Sequence, residues 1–503
     1  MYRFLALFAP VFIFASTVSQ ASAKDALTLE SLDRLKTGVK EHVLSNGLKI
    51  LFYERDVAPV FSGISSVRVG GVNEQPGVSG ASHLFEHLAF KGGPDIGTKD
   101  YGREKPLLVE LETLRTKQDE AIKNKGTGLT EEETARLKEV SEELAEIWKI
   151  AEFTNLHRKW GASGLNATTA KELTNYFASY PVTSFEFWCW AESERLARPV
   201  ARQFYKERDV VLEERRSRYE DSPSGKLYEK LLGQAFLQHP YRHPVIGYES
   251  DIRSLQPRHV LDLHKEYYVG SNIVVAVVGD MEFEEALPTL KKYFGRIPSG
   301  KRPEQPTVVE PPQEGERNFS ITFDASPVFF AGYKKPIYPD PREPALTLFL
   351  EIAMGSRVAP LYKEIVLNKK MASSLGYFEA PGDMFPNLVI MYGEPIKPFT
   401  NEQLLTKFDQ ELEKVISKPI SEKELQIAKR GVMKGALVGM KSNMGLAREL
   451  ADIEQKFGSW RVLLEWYKQM LQVTPEQAQQ AAKEILQNDQ RTVGFLSRKG
   501  GKA

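Results

Sequence analysis

The sequence predicts an α+β fold of two related domains, each a mainly antiparallel β-sheet packed with α-helices, with a helical-hairpin insertion in the first. Three observations predict it. Strand-like and helix-like segments mix without a regular βαβ rhythm. A Pro-, Gly- and charge-rich stretch, RIPSGKRPEQPTVVEPPQEGER at 296–317, reads as an interdomain linker. The chain beyond that stretch opens again with strands and continues into alternating helix and strand. At 503 residues, 42% of them hydrophobic, the chain is long enough to bury the cores that such an arrangement needs.

The first residues run from Arg3 through an apolar block, Phe4 to Ala15, to the small-residue end Ala21-Ser22-Ala23. That is the layout of a secretory signal cleaved after Ala23, so 1–23 is expected to be removed. About twelve apolar residues, broken by Pro10, fall short of the roughly twenty that a membrane-spanning helix needs. No later stretch is apolar enough to span, so the mature chain is expected to have no transmembrane segment and to work in an exported compartment, in a bacterium the periplasm. The single cysteine, Cys189, excludes an intrachain disulfide, and its apolar neighbours FEFWCWA mark it as core. With 67 basic and 67 acidic residues the charge is balanced, which gives nucleic acid no support as the main partner.

Residues 41–70 alternate apolar and polar residues around Asn46-Gly47, a dipeptide suited to a tight hairpin. A Gly- and Ser-bearing loop leads from there into GASHLFEHLAFKG. Residues 102–150 are rich in Glu, Lys, Arg and Leu, with a break at Lys125 to Gly128. After it, Thr130 and Glu133 form a capping box, and Leu137, Val140, Leu144 and Ile147 repeat at three and four residues. A projecting helical hairpin is expected there. Helices follow to about 235, then HPYRHPVIG, a helix near 257–268 and the apolar strand NIVVAVVGD. When ALTLFLEIAMGS of the second half is laid on SHLFEHLAFKGG, Leu346, Phe349 and Leu350 fall where His83, Glu86 and His87 stand. The second domain is therefore expected to lack the polar triad.

His83, Glu86 and His87 fall at i, i+3 and i+4, on one face of a helix. Two imidazoles one turn apart can direct ring nitrogens at one cation, and zinc accepts them together with a carboxylate. Glu86, one residue before the second histidine, can touch a water at that cation without binding the metal. The order HxxEH is the inverted zincin motif. The third ligand is expected to be acidic and to come from another helix. Glu207 and Glu214, seven residues apart in YKERDVVLEERRSRYED, share a helical face and supply a candidate.

HLFEH followed by LAFKGG, then Asn166-Ala167-Thr168-Thr169, Thr174 with Tyr176, the Glu207–Glu214 helix and HPYRHPVIG resembles the pitrilysin/insulysin family of zinc peptidases. The resemblance covers about 38–290 and points to the short-chain, processing-peptidase-like subgroup. It implies His83, His87 and Glu214 as zinc ligands, one zinc per chain, Glu86 as general base, and Glu207 as the carboxylate that orients a ligand histidine. It also implies that Asn166 and Ala167 belong to a strand that binds substrate backbone by strand addition. Two features depart from the family. The insertion at about 102–150 lengthens the gap between His87 and Glu214, as a decorative arm or as a rim near substrate. The Arg and Tyr that active members present from a second half or subunit have Val366 and Ser373 in their places. A homologous, zinc-free subunit carrying that pair is the expected partner.

The expected organisation is thus a catalytic domain at 38–295, a linker at 296–317 and a metal-free homologous domain at 318–498. The expected activity is that of a zinc endopeptidase, or of its catalytic subunit, on peptides or unfolded polypeptides. A zinc-binding but non-catalytic scaffold or peptide-binding subunit is the alternative.

Overall fold

The computed structural model of the protein describes residues 29–498; the expected signal segment, 1–23, lies outside the described residues. Among them, eleven strands form two sheets: β1 (Val39–Val43), β2 (Lys49–Glu54), β3 (Val60–Val67), β4 (Ser163–Thr169), β5 (Thr174–Pro181) and β6 (Ile273–Gly279) in the first, then β7 (Arg317–Phe323), β8 (Val328–Lys335), β9 (Ala372–Ala380), β10 (Asn387–Pro395) and β11 (Arg491–Arg498) in the second. The first sheet has the order β1-β2-β6-β3-β5-β4 and the second β7-β11-β8-β10-β9. Without β1 the two orders correspond strand for strand. In each, the first strand pairs in parallel with the last strand of its half, and every other pairing is antiparallel. The fold is α+β with two related halves.

Asn46-Gly47 turns the chain between β1 and β2, which pair antiparallel from Val39↔Tyr53 to Val43↔Lys49. Gly47 takes φ +91°, a conformation that a side chain would strain. β3 does not join that hairpin directly. β6 inserts between them, parallel to β2 and antiparallel to β3. Its run IVVAVVG is buried at every position, as a central strand covered on both faces must be.

Each half lends a helix to the other's sheet. Helix Asn443–Phe457 of the second half lies on β3 and β6, where its Leu446, Ala447 and Leu450 share a core with Ile64, Val274, Ala276 and Val278. Gln455 of that helix donates to the carbonyls of Ser66 (2.6 Å) and Asn272 (3.0 Å). Reciprocally, helix Pro223–Ala235 packs Leu227 and Leu231 against Phe330, Leu388, Ile390 and Leu496 of the second sheet. Residues 299–316 form no helix or strand but are fastened to both halves. Arg302 donates to Gln455 at 2.8 Å, and Glu310 accepts from the backbone of Leu237, Gln238 and His239. Cys189 is buried in helix Phe185–Ala197, where burial pushes its thiol well up. Among the described residues no helix is long and apolar enough to cross a membrane.

The inserted hairpin consists of helices Tyr101–Lys125 and Glu131–Ile147. Thr130 and Glu133 close the capping box at 3.2 and 3.1 Å, and Leu137, Val140, Leu144 and Ile147 are buried along the seam. Its root holds a fully buried ion pair: Arg202 donates to both oxygens of Glu104, at 2.5 and 2.8 Å. The remaining Arg202 donors reach the carbonyls of Lys91 (2.6 Å), Ile96 (3.0 Å) and Gly93 (3.2 Å), and the Trp148 indole also donates to Glu104. One guanidinium thus joins the insertion to the loop that follows His87. It does so two residues before helix Phe204–Arg215 begins.

Candidate metal centre

His83, Glu86 and His87 stand on helix Ala81–Leu88, which begins abruptly at Gly80 with φ +91°. A Cβ at Gly80 would come within 2.5 Å of the Ile246 carbonyl oxygen, so glycine is required where the HPVIG segment crosses the helix start. The helix N-terminus is capped from a distance. The Glu74 carboxylate accepts from the backbone N–H of Gly80 (2.8 Å) and Ser82 (2.7 Å), satisfying donors that the first turn leaves open. Burial pushes the Glu74 carboxyl up to about 7.

Glu207 and Glu214 lie two turns apart on helix Phe204–Arg215 and face the histidines. Each carboxylate divides its oxygens between a cation and an imidazole. Glu214 Oε1 meets Arg218 at 2.6 Å while Oε2 lies 3.3 Å from His87 Nε2 and 3.8 Å from His83 Nε2. Glu207 Oε1 meets Lys91 at 2.6 Å while Oε2 lies 3.4 Å from His87 Nδ1. The His83 and His87 rings meet edge to face at 4.9 Å. Beyond Arg215 the helix widens into a π-turn, Arg216–Glu220, which carries Arg218.

The two imidazoles have opposite electrostatics. Burial and the neighbouring His87 hold His83 down at about 4. Burial would lower His87 as well, but Glu207 and Glu214 outweigh it and lift the ring to about 9. Glu214 is held down at about 2, because His87, His83 and Arg218 overcome the opposing effect of burial. Burial raises Glu86, whose Oε2 accepts a 2.6 Å hydrogen bond from the Thr169 hydroxyl.

Tetrahedral zinc, with bonds of about 2.0–2.2 Å to nitrogen and oxygen, sets its ligand atoms roughly 3.4 Å apart. His83, His87 and Glu214 offer atoms that all lie within 4.8 Å of one another, two of the separations being 3.3 and 3.8 Å. The residues present fit a zinc-sized cation. Glu86 stays outside the set, engaged by Thr169 at the end of β4. Asn166 and Ala167 lie three and two residues earlier on the same strand, Asn166 exposed and Ala167 buried. β4 pairs with β5 alone, so one of its edges is unpaired among the described residues. Val366 packs partly buried against the second-half core, and the Ser373 hydroxyl reaches Glu394 at 3.2 Å.

Sequence reasoning missed four groups here: Thr169 as the partner of Glu86, Arg218, Lys91 and Glu74. Arg218 is four residues from Glu214, an i,i+4 pair legible in the sequence, and Lys91 is four residues from His87. Glu74 had no local signal, because it reaches across a loop.

A family model described as the peptidase M16 inactive domain matches residues 254–432, a span that omits both helices of the site. The zinc protease PqqE of Helicobacter pylori is 25% identical over 437 residues, 85% of this chain and 86% of its own. An uncharacterized zinc protease of Mycobacterium tuberculosis is 25% identical over 429 residues, 84% of each chain. Among solved structures, a Helicobacter pylori protease matches with TM-score 0.75 and 23% identity, covering 91% of this chain and 99% of that one. The periplasmic protease PqqL of Escherichia coli matches with TM-score 0.67 and 14% identity over 92% of this chain but only 47% of its own length. In its HxxEH helix, its two related sheets and these zinc-protease relatives, the chain is similar to the M16 peptidases, the pitrilysin/insulysin family, and it shares their fold.

Proposed function

We propose that the protein is a zinc-dependent endopeptidase, or the catalytic subunit of one, that hydrolyses peptides or unfolded polypeptides. The observation that carries this reading is the convergence of His83, His87 and Glu214 from two helices, with Glu86 on the same helix one residue before His87. His83, His87 and Glu214 hold the metal. When bound, zinc supplies Lewis-acid polarisation of the scissile carbonyl and lowers the pKa of a water. Glu86, steadied by Thr169, takes a proton from that water and returns it to the leaving amine. Glu207 fixes the tautomer of His87 through Nδ1. The open edge of β4, with Asn166 and Ala167, takes the peptide backbone as an added strand, which favours broad specificity.

We assign catalysis to 38–295, connection to 296–317 and a metal-free supporting role to 318–498. Export to the periplasm, with cleavage after Ala23, follows from the N-terminal sequence, and the match to a periplasmic protease supports it. A homologous subunit supplies the Arg and Tyr that Val366 and Ser373 replace. In support, the chain spans about half of PqqL, whose single polypeptide has length for two such units.

A second reading, a zinc-binding but non-catalytic scaffold or peptide-binding subunit, is favoured by Val366 and Ser373 alone. Mixing separates the two. A quenched peptide is incubated with the chain, alone and together with a homologue bearing the Arg/Tyr pair. Hydrolysis on mixing, abolished by a chelator and restored by about one equivalent of zinc, is expected; no hydrolysis in either arrangement with zinc present establishes the scaffold.

A further inference from the structure

Away from the metal centre, the second half contains a cavity of about 250 Å³ between the ends of β8, β9 and β10 and the helices Asn443–Phe457 and Val462–Gln472. At roughly 30 Å³ per water it has the space of about eight waters, enough for one long side chain. Four carboxylates line it and one ammonium, Lys335. Lys335 is buried, bonded to Glu379 and 3.2 Å from Glu343, which also accepts from the Trp466 indole. Asp383 is paired with Lys456 at 2.5 Å. The fourth carboxylate, Glu449, has no hydrogen-bond or ion-pair partner among the described residues. Burial, with Asp452 nearby, pushes it up to about 7.

The walls are aromatic. Tyr338 and Phe457 meet edge to face at 5.8 Å, and Trp466 and Tyr467 at 5.0 Å. Phe457 lies two turns from Glu449 on the same helix face, with Ile453 between them. The ammoniums of Lys335 and Lys456 are already paired with Glu379 and Asp383, so the lining offers an anion no free cation among the described residues. A neutral apolar ligand would leave Glu449 desolvated and unpaired, which is costly. A cation on an apolar stem satisfies both features: its head pairs with the carboxylate and its methylenes lie along aromatic faces.

We infer that this cavity binds an alkylammonium or alkylguanidinium group, with Glu449 as its counter-ion and the aromatic side chains around its stem. The inference goes beyond the peptidase reading and does not depend on it, since binding requires no hydrolysis. It is tested on the full chain carrying Glu86→Gln, so that no peptide is consumed, by calorimetric titration with three probes: acetyl-Ala-Lys-Ala-amide, its norleucine counterpart and cadaverine. A cation is expected to bind at least about tenfold more tightly than the norleucine peptide, and Glu449→Gln to remove about tenfold of that affinity. Because Glu449 makes no internal hydrogen bond and its buried charge is unfavourable, the variant should melt at or above the parent temperature, which separates lost binding from lost fold. Binding of the lysine peptide assigns the cavity to side chains of a polypeptide; binding of cadaverine alone assigns it to free amines. Equal affinity for the lysine and norleucine peptides, an unchanged affinity in Glu449→Gln, or no binding of either cation at millimolar concentration overturns the inference.

Discussion

The Glu86→Gln protein is expected to hold about one zinc per chain and to lose peptide hydrolysis by a factor of at least ~10², the usual contribution of a positioned general base. Glutamine keeps the shape of the side chain and an oxygen for the Thr169 hydroxyl, so the helix and the three ligands should be undisturbed. The amide cannot accept the proton from water. His83→Ala and Glu214→Gln should do the opposite first: each removes one of three converging ligands, so metal content falls and activity follows it. Metal analysis beside a quenched-peptide assay, run with a homologue bearing the Arg/Tyr pair, separates the two classes. Turnover in Glu86→Gln within a few-fold of the parent would rule out this residue as the base.

Glu104→Ala carries the largest expected cost in stability. It strips a fully buried guanidinium of its only carboxylate, and breaking a buried pair by removing one partner costs about 3–5 kcal/mol. The effect should reach the metal centre, because the same Arg202 holds the carbonyls of Lys91, Gly93 and Ile96 just after His87 and precedes the helix of Glu207 and Glu214. Denaturant unfolding and zinc affinity should both fall. The double variant Glu104→Ala with Arg202→Met should recover part of the loss, since no unpaired charge remains. Unchanged unfolding and zinc affinity in the single variant would leave the insertion a surface arm, the choice its sequence left open.

Much of the site could be read from local spacing. HLFEH sets three side chains on one helix face, and Glu207 with Glu214 sets two more on another, because helical periodicity needs only neighbouring residues. The Asn46-Gly47 hairpin and the capping box at Thr130 and Glu133 were legible for the same reason. What depends on distant pairing was not. The insertion of β6 between β2 and β3 joins segments more than two hundred residues apart, with no local signal of partner or direction. Arg202 is one of two arginines in RPVARQF with no pattern to mark it, and Glu104 sits in a charged helix that reads as a solvated face. Only the folded chain shows that they meet in the interior.

The exchanged helices make the chain a tethered internal heterodimer. The face of β3 and β6 formed by Ile64, Val274, Ala276 and Val278 is closed by a helix that begins at Asn443, and the second sheet borrows its cover from residues 223–235. A protease that nicks the connection at 296–317 would therefore leave two pieces still clasped together, whereas 38–295 made alone would present that apolar face to water and aggregate. This division of labour gives the second half a reason to persist without ligands of its own. Leu346, Phe349 and Leu350, where the first half has its triad, are buried in the shared core. One copy of the unit can serve as a wall while the other carries the candidate metal centre.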